Sequence, residues 1–351
     1  MAVEPIRGRG TAHNPDNRFA PRTSVAEEDG WWQDVPPTRS TEVRIELAKT
    51  IITRNNSPDI PFDRSINPYR GCEHGCIYCY ARPSHAYWDL SPGIDFETRL
   101  IAKTNAVQRL EEQLGKPGYV CAPVNLGSNT DPYQPIERQY RLTRELLETL
   151  LRYRHPVTIV TKGAMVLRDL DLLAELARLR LVKVMVSLTT LDDALKCILE
   201  PRAASPKARL RVIRQLHQRG VPVGVLCSPM IPMINDSELE ALVAAAAEAG
   251  AQSANYMFLR LPLEVAPLFE QWLADHYPQR AEHVLSLVRQ SRGGELYDSR
   301  FGSRMRGEGL FAELLAQRFA RALKRHGLAR REGYALDTSL FCPPGRQMNL
   351  L

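Results

Sequence analysis

Gly71-Cys72-Glu73-His74-Gly75-Cys76-Ile77-Tyr78-Cys79-Tyr80 spaces three thiols as C-x3-C-x2-C within eight residues. A loop of this length can wrap three thiolates around one corner of an iron–sulfur cube, because soft sulfur ligands suit iron–sulfur clusters and zinc. Three ligands leave one iron of such a cube open to chelate a small molecule through its amino and carboxylate groups. A structural zinc instead needs a fourth protein ligand, for which His74 and His85 are the neighbouring candidates. The total of seven cysteines is odd and three are grouped, which favours a reduced, metal-binding chain over a disulfide framework.

Outward from this loop, from about residue 65 to 275, short β-branched or apolar runs alternate with amphipathic stretches, the pattern of repeated βα units and a parallel sheet. Strands are expected at Ser65–Tyr69, Tyr119–Leu126, Val157–Thr161, Val182–Leu188, Val221–Ser228 and Ser253–Leu259. Helices are expected near Phe96–Leu114, Gln139–Tyr153, Leu170–Leu179, Pro206–Gln218, Ser237–Ala249 and Leu263–Asp275. Six such units make either a partial, open barrel or a doubly wound sheet, and periodicity does not choose between them.

Residues 1–40 are rich in Pro, Gly, Asn and Arg without an apolar period and read as an irregular, mobile arm outside the core. The core is expected over 41–278, followed over 279–351 by a basic helical extension and tail. In that extension residues 280–331 hold twelve Lys or Arg against five Asp or Glu, whereas the whole 351-residue chain is only +6. The surplus suits a polyanionic partner or a solvated basic face. With 44% hydrophobic and 25% charged residues the chain should fold. It has neither a run of roughly 18 apolar residues nor the apolar core of a signal peptide, so no membrane association and a cytoplasmic location are expected.

The cysteine spacing, with Tyr78 just before the last thiol at the end of the first of six βα units, resembles the radical S-adenosylmethionine (SAM) superfamily. Asn129-Thr130-Asp131-Pro132, Thr161-Lys162, Val186-Ser187-Leu188 and Glu200-Pro201-Arg202 follow successive strands in the order of its spore photoproduct lyase-like branch, also called DNA repair photolyase-like. The N-terminal GRG-x-x-x-NP-x-NRF arm, His85-Ala86-Tyr87-Trp88 and the C-terminal PPG resemble an uncharacterised bacterial subgroup of that branch. The resemblance settles the fold expectation on an α/β partial (βα)6 barrel. It implies a [4Fe-4S] cluster on Cys72, Cys76 and Cys79, SAM at the open iron, and a reductant such as flavodoxin or ferredoxin. Its chemistry is reductive cleavage of SAM to a 5′-deoxyadenosyl radical that abstracts hydrogen.

Within the resemblance Thr130 matches a SAM-contacting serine, Lys162 and Ser187 match SAM-contacting positions, and Ser128 stands where the lyases have a hydrogen-donor cysteine. Ser128 is also counted with the SAM-facing loop, whose hydroxyls and N–H groups can bind the amino and carboxylate groups, and Tyr78 can lie against adenine. Cys121, Cys197 and Cys227 read as buried small hydrophobes. Arg300, Arg304 and Arg306, interleaved with Tyr297 and Phe301, can pair phosphates and stack bases, or equally form a basic lid with salt bridges to the barrel. The expected function is radical chemistry on nucleic acid or a nucleotide-like substrate. The alternatives are the same chemistry on a protein, peptide or metabolite, and a non-catalytic iron–sulfur or zinc module that binds nucleic acid. Anaerobic reconstitution should give about four irons and four sulfides per chain, lost when Cys72, Cys76 or Cys79 becomes Ala; elemental analysis finding one zinc and no iron would contradict this.

Overall fold

Six parallel strands carry the fold: β1 (Arg64–Ile66), β2 (Val124–Leu126), β3 (Val157–Thr161), β4 (Val182–Ser187), β5 (Val223–Met230) and β6 (Ser253–Phe258). They lie side by side in chain order. A doubly wound sheet would reverse direction at a switch point, so the continuous order defines an open partial barrel. An antiparallel strand, Ile52–Arg54, flanks β1, and the short parallel Ala329–Arg330 flanks β6. The computed structural model describes residues 6, 8–11, 13–19, 40–330 and 335–343.

The helices α1 (Ala106–Leu114), α2 (Leu142–Arg152), α3 (Leu170–Arg178), α4 (Pro206–Gln218), α5 (Leu239–Glu248) and α6 (Val265–His276) follow the successive strands. The fourth shows how sequence sets an element. Ser205 Oγ accepts the Ala208 N–H at 3.2 Å, Pro206 starts the first turn, and Val212, Ile213 and Leu216 form the buried stripe. One continuous core joins such stripes to the strand residues Ile66, Leu126, Ile159, Val184, Val225 and Phe258. The extension adds α7 (Ala281–Gln290) and α8 (Gly309–His326). No helix among the described residues is long and apolar enough to cross a membrane.

Several boundaries differ from the sequence reading. The segment Phe96–Leu114 is not one helix: a turn at Asp95–Thr98 leads into a strand, Arg99–Ala102, which lies between Glu42–Ile45 and Tyr69–Arg70 in a separate three-stranded sheet. Leu100-Ile101-Ala102 is a continuous apolar run, which periodicity alone does not separate from a buried helical segment. Ser65–Tyr69 accordingly splits, its first part in β1 and its end in the small sheet. The strand expected from Tyr119 begins only at Val124, after Pro123. A helix at Asp193–Leu199, capped by Asp192 Oδ1 on the N–H groups of Ala194 (2.7 Å) and Leu195 (3.2 Å), escaped the sequence reading. Cys227 is buried as expected, but Cys197 is exposed and Cys121 half-buried.

The described part of the arm is irregular, yet it is docked, which corrects the reading of it as mobile and separate. Gly10 N–H donates to Glu97 Oε2 (2.9 Å), Arg9 Nη1 donates to the Glu97 carbonyl (2.9 Å), and Ile94 N–H donates to the His13 carbonyl (3.0 Å). Gly10 packs so tightly on the cysteine loop that a Cβ would sit 1.8 Å from the Gly75 carbonyl oxygen. Glu97 also receives Arg82 Nη2 at 2.5 Å, and Arg82 Nε donates to the Cys76 carbonyl at 3.0 Å. Both charged side chains are fully buried. Removing one partner of a buried pair strands the other charge, so Glu97→Ala should cost about 3–5 kcal/mol in denaturant unfolding; a loss below about 1 kcal/mol would contradict this linkage.

Candidate active site

Because β1 to β4 are parallel, the residues that follow them share one edge of the sheet, and the cysteine loop sits there after β1. Ser128 and Thr130 follow β2, Lys162 follows β3, and Ser187 ends β4. The structure therefore places Ser128, Thr130, Lys162 and Ser187 at the same strand ends as the cysteine loop. Gly127 makes the turn out of β2 with φ +97°, and a Cβ there would lie 2.3 Å from the Val160 carbonyl oxygen.

Asp131 joins three segments. Its Oδ1 accepts Thr161 Oγ1 (2.7 Å) and Tyr133 N–H (2.9 Å), its Oδ2 accepts Lys162 N–H (2.7 Å), and His74 Nδ1 lies 3.3 Å from Oδ2. Burial opposes its ionisation, but His74 and these donors outweigh it and hold the carboxyl at about 2. Thr130 Oγ1 donates to the Gly71 carbonyl (2.7 Å) and accepts Gln134 Nε2 (2.9 Å), while Gln134 Oε1 accepts Glu73 N–H (2.9 Å). The Thr130 hydroxyl is thus engaged in holding the cysteine loop. Ser128 Oγ accepts Asn67 Nδ2 (3.1 Å), and its carbonyl accepts the Tyr80 hydroxyl.

A second carboxylate holds the far side of the loop. Glu200 receives the Tyr78 hydroxyl, Thr189 Oγ1 (2.7 Å) and Arg209 Nη2. Arg209 Nη1 donates to the Ser187 carbonyl at 3.1 Å. Backbone bonds add Ile77 N–H to the Leu199 carbonyl (3.1 Å) and Arg202 N–H to the His74 carbonyl (3.2 Å). Tyr78 is buried in the core. Lys162 Nζ lies 5.9 Å from its ring centroid. Burial works against the Lys162 ammonium, but the charges of Cys76 and Glu200 prevail and hold it at about 12.

No disulfide forms among the described cysteines, and Cys72 and Cys76 are buried while Cys79 is half-buried. Burial pushes the Cys76 thiol up to about 12 against the pull of Lys162, and burial followed by the Asp131 charge raises Cys72. Among the described residues no three His, Cys, Asp or Glu side chains converge as ligands of a single ion. The fit of a cluster therefore rests on donor chemistry: three free soft ligands on one short loop, whose conversion to thiolates a cationic cluster favours.

Sequence reasoning missed Glu200 and Asp131 as site-building carboxylates, although both lie in motifs it quoted, and it missed Gln134, Arg209 and Tyr80. The available signal was an acidic residue inside each quoted motif: Asp131 sits in the loop after β2, and Glu200 closes the helix Asp193–Leu199. In the basic extension the structure agrees with the lid reading, with salt bridges to the barrel, for Arg304. Arg300 pairs with Asp298 (2.9 Å), and Arg304 Nε bonds Asp59 Oδ2 and its Nη2 bonds Ser57 Oγ, both at 2.5 Å. The Arg304 contacts tie the segment beyond β6 to the one before β1. Arg306 is exposed.

An open parallel barrel with a three-cysteine loop clamped at the C-terminal ends of its strands defines a cluster-type α/β enzyme scaffold. Residues 66–246 match the Radical SAM superfamily, and the chain belongs to that superfamily. It is 36% identical over 276 residues to the uncharacterized protein Mb2609c of Mycobacterium bovis (strain ATCC BAA-935 / AF2122/97), covering 78% of this chain and 77% of that one. It is 22% identical over 269 residues to the Radical SAM Nalpha-GlyT isomerase of Pseudomonas phage M6, covering 76% of this chain and 51% of that one. Its fold is that of spore photoproduct lyase complexed with dinucleoside spore photoproduct, with TM-score 0.59, 14% identity and coverage of 81% and 79%. Membership implies an enzyme that uses SAM and a [4Fe-4S] cluster.

The lowered Glu200 carboxyl predicts a pH signature. Burial is outweighed by Arg209 and Lys162, which hold it at about 2 against an ordinary 4.5. The stabilisation is therefore full above about 4.5 and is lost as pH falls toward 2. At pH 7 Glu200→Gln should cost on the order of 3 kcal/mol, from a shift of roughly two units and the stranded Arg209 charge. Unfolding curves should show that deficit narrowing between pH 4.5 and 2; a constant deficit would contradict the assignment.

Proposed function

We propose that Cys72, Cys76 and Cys79 hold a [4Fe-4S] cluster at which SAM is reductively cleaved, and that the radical acts on nucleic acid or a nucleotide-like substrate. The carrying observation is the three-thiol loop pinned from both sides, by Asp131 and by Glu200, at the edge shared by β1 to β4. When bound, the cluster supplies the electron that cleaves SAM. The chain's own residues do the rest. Lys162 offers a flexible cation to the carboxylate or ribose side of SAM. Ser128 and Ser187 offer hydroxyls from neighbouring strand ends, and Tyr78 presents an aromatic wall whose orientation Glu200 fixes. Thr130 serves through the Gly71 carbonyl that it binds, as a positioning residue.

Ser128 in place of a cysteine argues against photoproduct repair itself, because an O–H bond is too strong to deliver hydrogen to a carbon radical. The nucleic-acid reading draws on the lyase, whose structure holds a dinucleoside, and on the basic surplus of residues 280–331. A flavodoxin or ferredoxin is the proposed reductant. A cytoplasmic location is proposed as well, in keeping with cysteines that form no disulfide among the described residues.

Reduced with dithionite, the reconstituted chain should form 5′-deoxyadenosine from SAM, and deuterium should move into it from a labelled oligonucleotide. Absence of 5′-deoxyadenosine would overturn the enzyme reading. Transfer from a peptide or metabolite with none from oligonucleotides would overturn the substrate.

A further inference from the structure

Two arginines at the mouth of the barrel serve no part of the cysteine-loop cradle. Arg260 follows β6 by two residues, and its guanidinium carbon lies 5.3 Å from the Tyr80 ring centroid and 5.9 Å from that of Tyr297. Its polar contacts are weak: Nη2 reaches the Tyr297 hydroxyl at 3.4 Å and Nη1 the Met305 sulfur at 3.6 Å, while Nε is buried without a partner. Behind it Arg292, only 3% exposed, donates Nη1 to the Ser303 carbonyl (3.0 Å) and Nη2 to the Leu259 carbonyl (2.7 Å), and its Nε is also buried and unpartnered.

Neighbouring Arg300 and Arg304 are neutralised by Asp298 and Asp59. Among the described residues neither Arg260 nor Arg292 forms an ion pair. Burial first, and the Arg260 charge second, bring Arg292 down to about 10. Two close guanidiniums with no ion pair of their own leave a local positive potential, offset only in part by the charges of Asp298 and Glu308 near Arg292, that an anion would relieve. The site also touches the chemistry. Tyr80 directly follows Cys79, and its hydroxyl donates to the carbonyl of Ser128 just after β2. With 44% of its surface exposed, that ring has a face open to a ligand.

We propose that Arg260, held between Tyr80 and Tyr297 with Arg292 behind it, binds a phosphodiester group of the substrate and lets an adjoining base stack on the Tyr80 ring. This rests on the nucleic-acid reading above and narrows it to a backbone contact beside the cluster loop. An arginine suits the role because its planar fork matches two phosphate oxygens and stacks on aromatic faces. Base stacking on an exposed tyrosine is the usual second element of single-strand binding.

The test compares the reconstituted full chain with Arg260→Gln and Arg260→Lys, using a fluorescein-labelled thymidine octamer in anisotropy titrations across a salt series. Circular dichroism and iron content establish that each variant is folded. Arg260→Gln should weaken binding at least ten-fold and lower the salt slope by about one, with Arg260→Lys in between. A neutral methylphosphonate octamer should bind wild type and Arg260→Gln alike. If the octamer does not bind wild type but inorganic pyrophosphate does, dependent on Arg260, the anion site stands and the nucleic-acid reading fails. If the octamer binds Arg260→Gln as tightly as wild type, the proposal fails and that reading stands. Binding of neither probe to wild type overturns the proposal.

Discussion

One buried negative charge, on Asp131, organises the edge of the barrel where the chemistry is expected. An unpaired carboxylate in the interior would cost several kcal/mol, so its oxygens must be met by donors wherever the chain can supply them. Here those donors come from three places: the turn after β2, the end of β3, and His74 in the cysteine loop. Satisfying the charge therefore brings the loop, the β2 turn and Lys162 to one point. Glu200 does the same from the other side with Tyr78, Thr189 and Arg209. Two carboxylates, each compensated in full, set the frame of the loop before any cluster is bound.

Parallel topology turns that local arrangement into a site. Strand ends that point the same way present their following residues side by side, and the sheet stays unclosed, with Ile52–Arg54 beyond β1 and Ala329–Arg330 beyond β6. The segment after β6 ties these ends together through Arg304 and Asp59, and the N-terminal arm presses Gly10 onto the loop at Gly75. The N-terminal arm thus makes contacts with the cysteine loop that the barrel alone does not make. Arg260 and Arg292, neither ion-paired among the described residues, are where an incoming anion would find charge.

Much of this was legible in the sequence. Four of the six parallel strands lie close to their expected positions, since β-branched runs such as Val157–Thr161 and Val182–Ser187 have no competing reading. The cysteine spacing and the strand-end polar residues pointed to the edge where they meet. What was hidden depended on tertiary contacts. Leu100-Ile101-Ala102 became a strand because Glu42–Ile45 and Tyr69–Arg70 lay on either side to pair with it. The arm lacks any periodic signal, and its docking depends on Glu97, some ninety residues away. For Arg304 the sequence left a phosphate ligand and a lid salt-bridged to the barrel equally open, and Asp59, far off in sequence, decides for the second.

Electron paramagnetic resonance of the dithionite-reduced, reconstituted chain, recorded with and without SAM labelled with nitrogen-15 at its amino group, tests most directly whether three cysteines leave one iron for SAM. The account predicts a reduced [4Fe-4S] signal that changes on adding SAM and shows hyperfine coupling to the labelled nitrogen. A spectrum indifferent to SAM, or a cluster that survives replacement of all three cysteines, would contradict it.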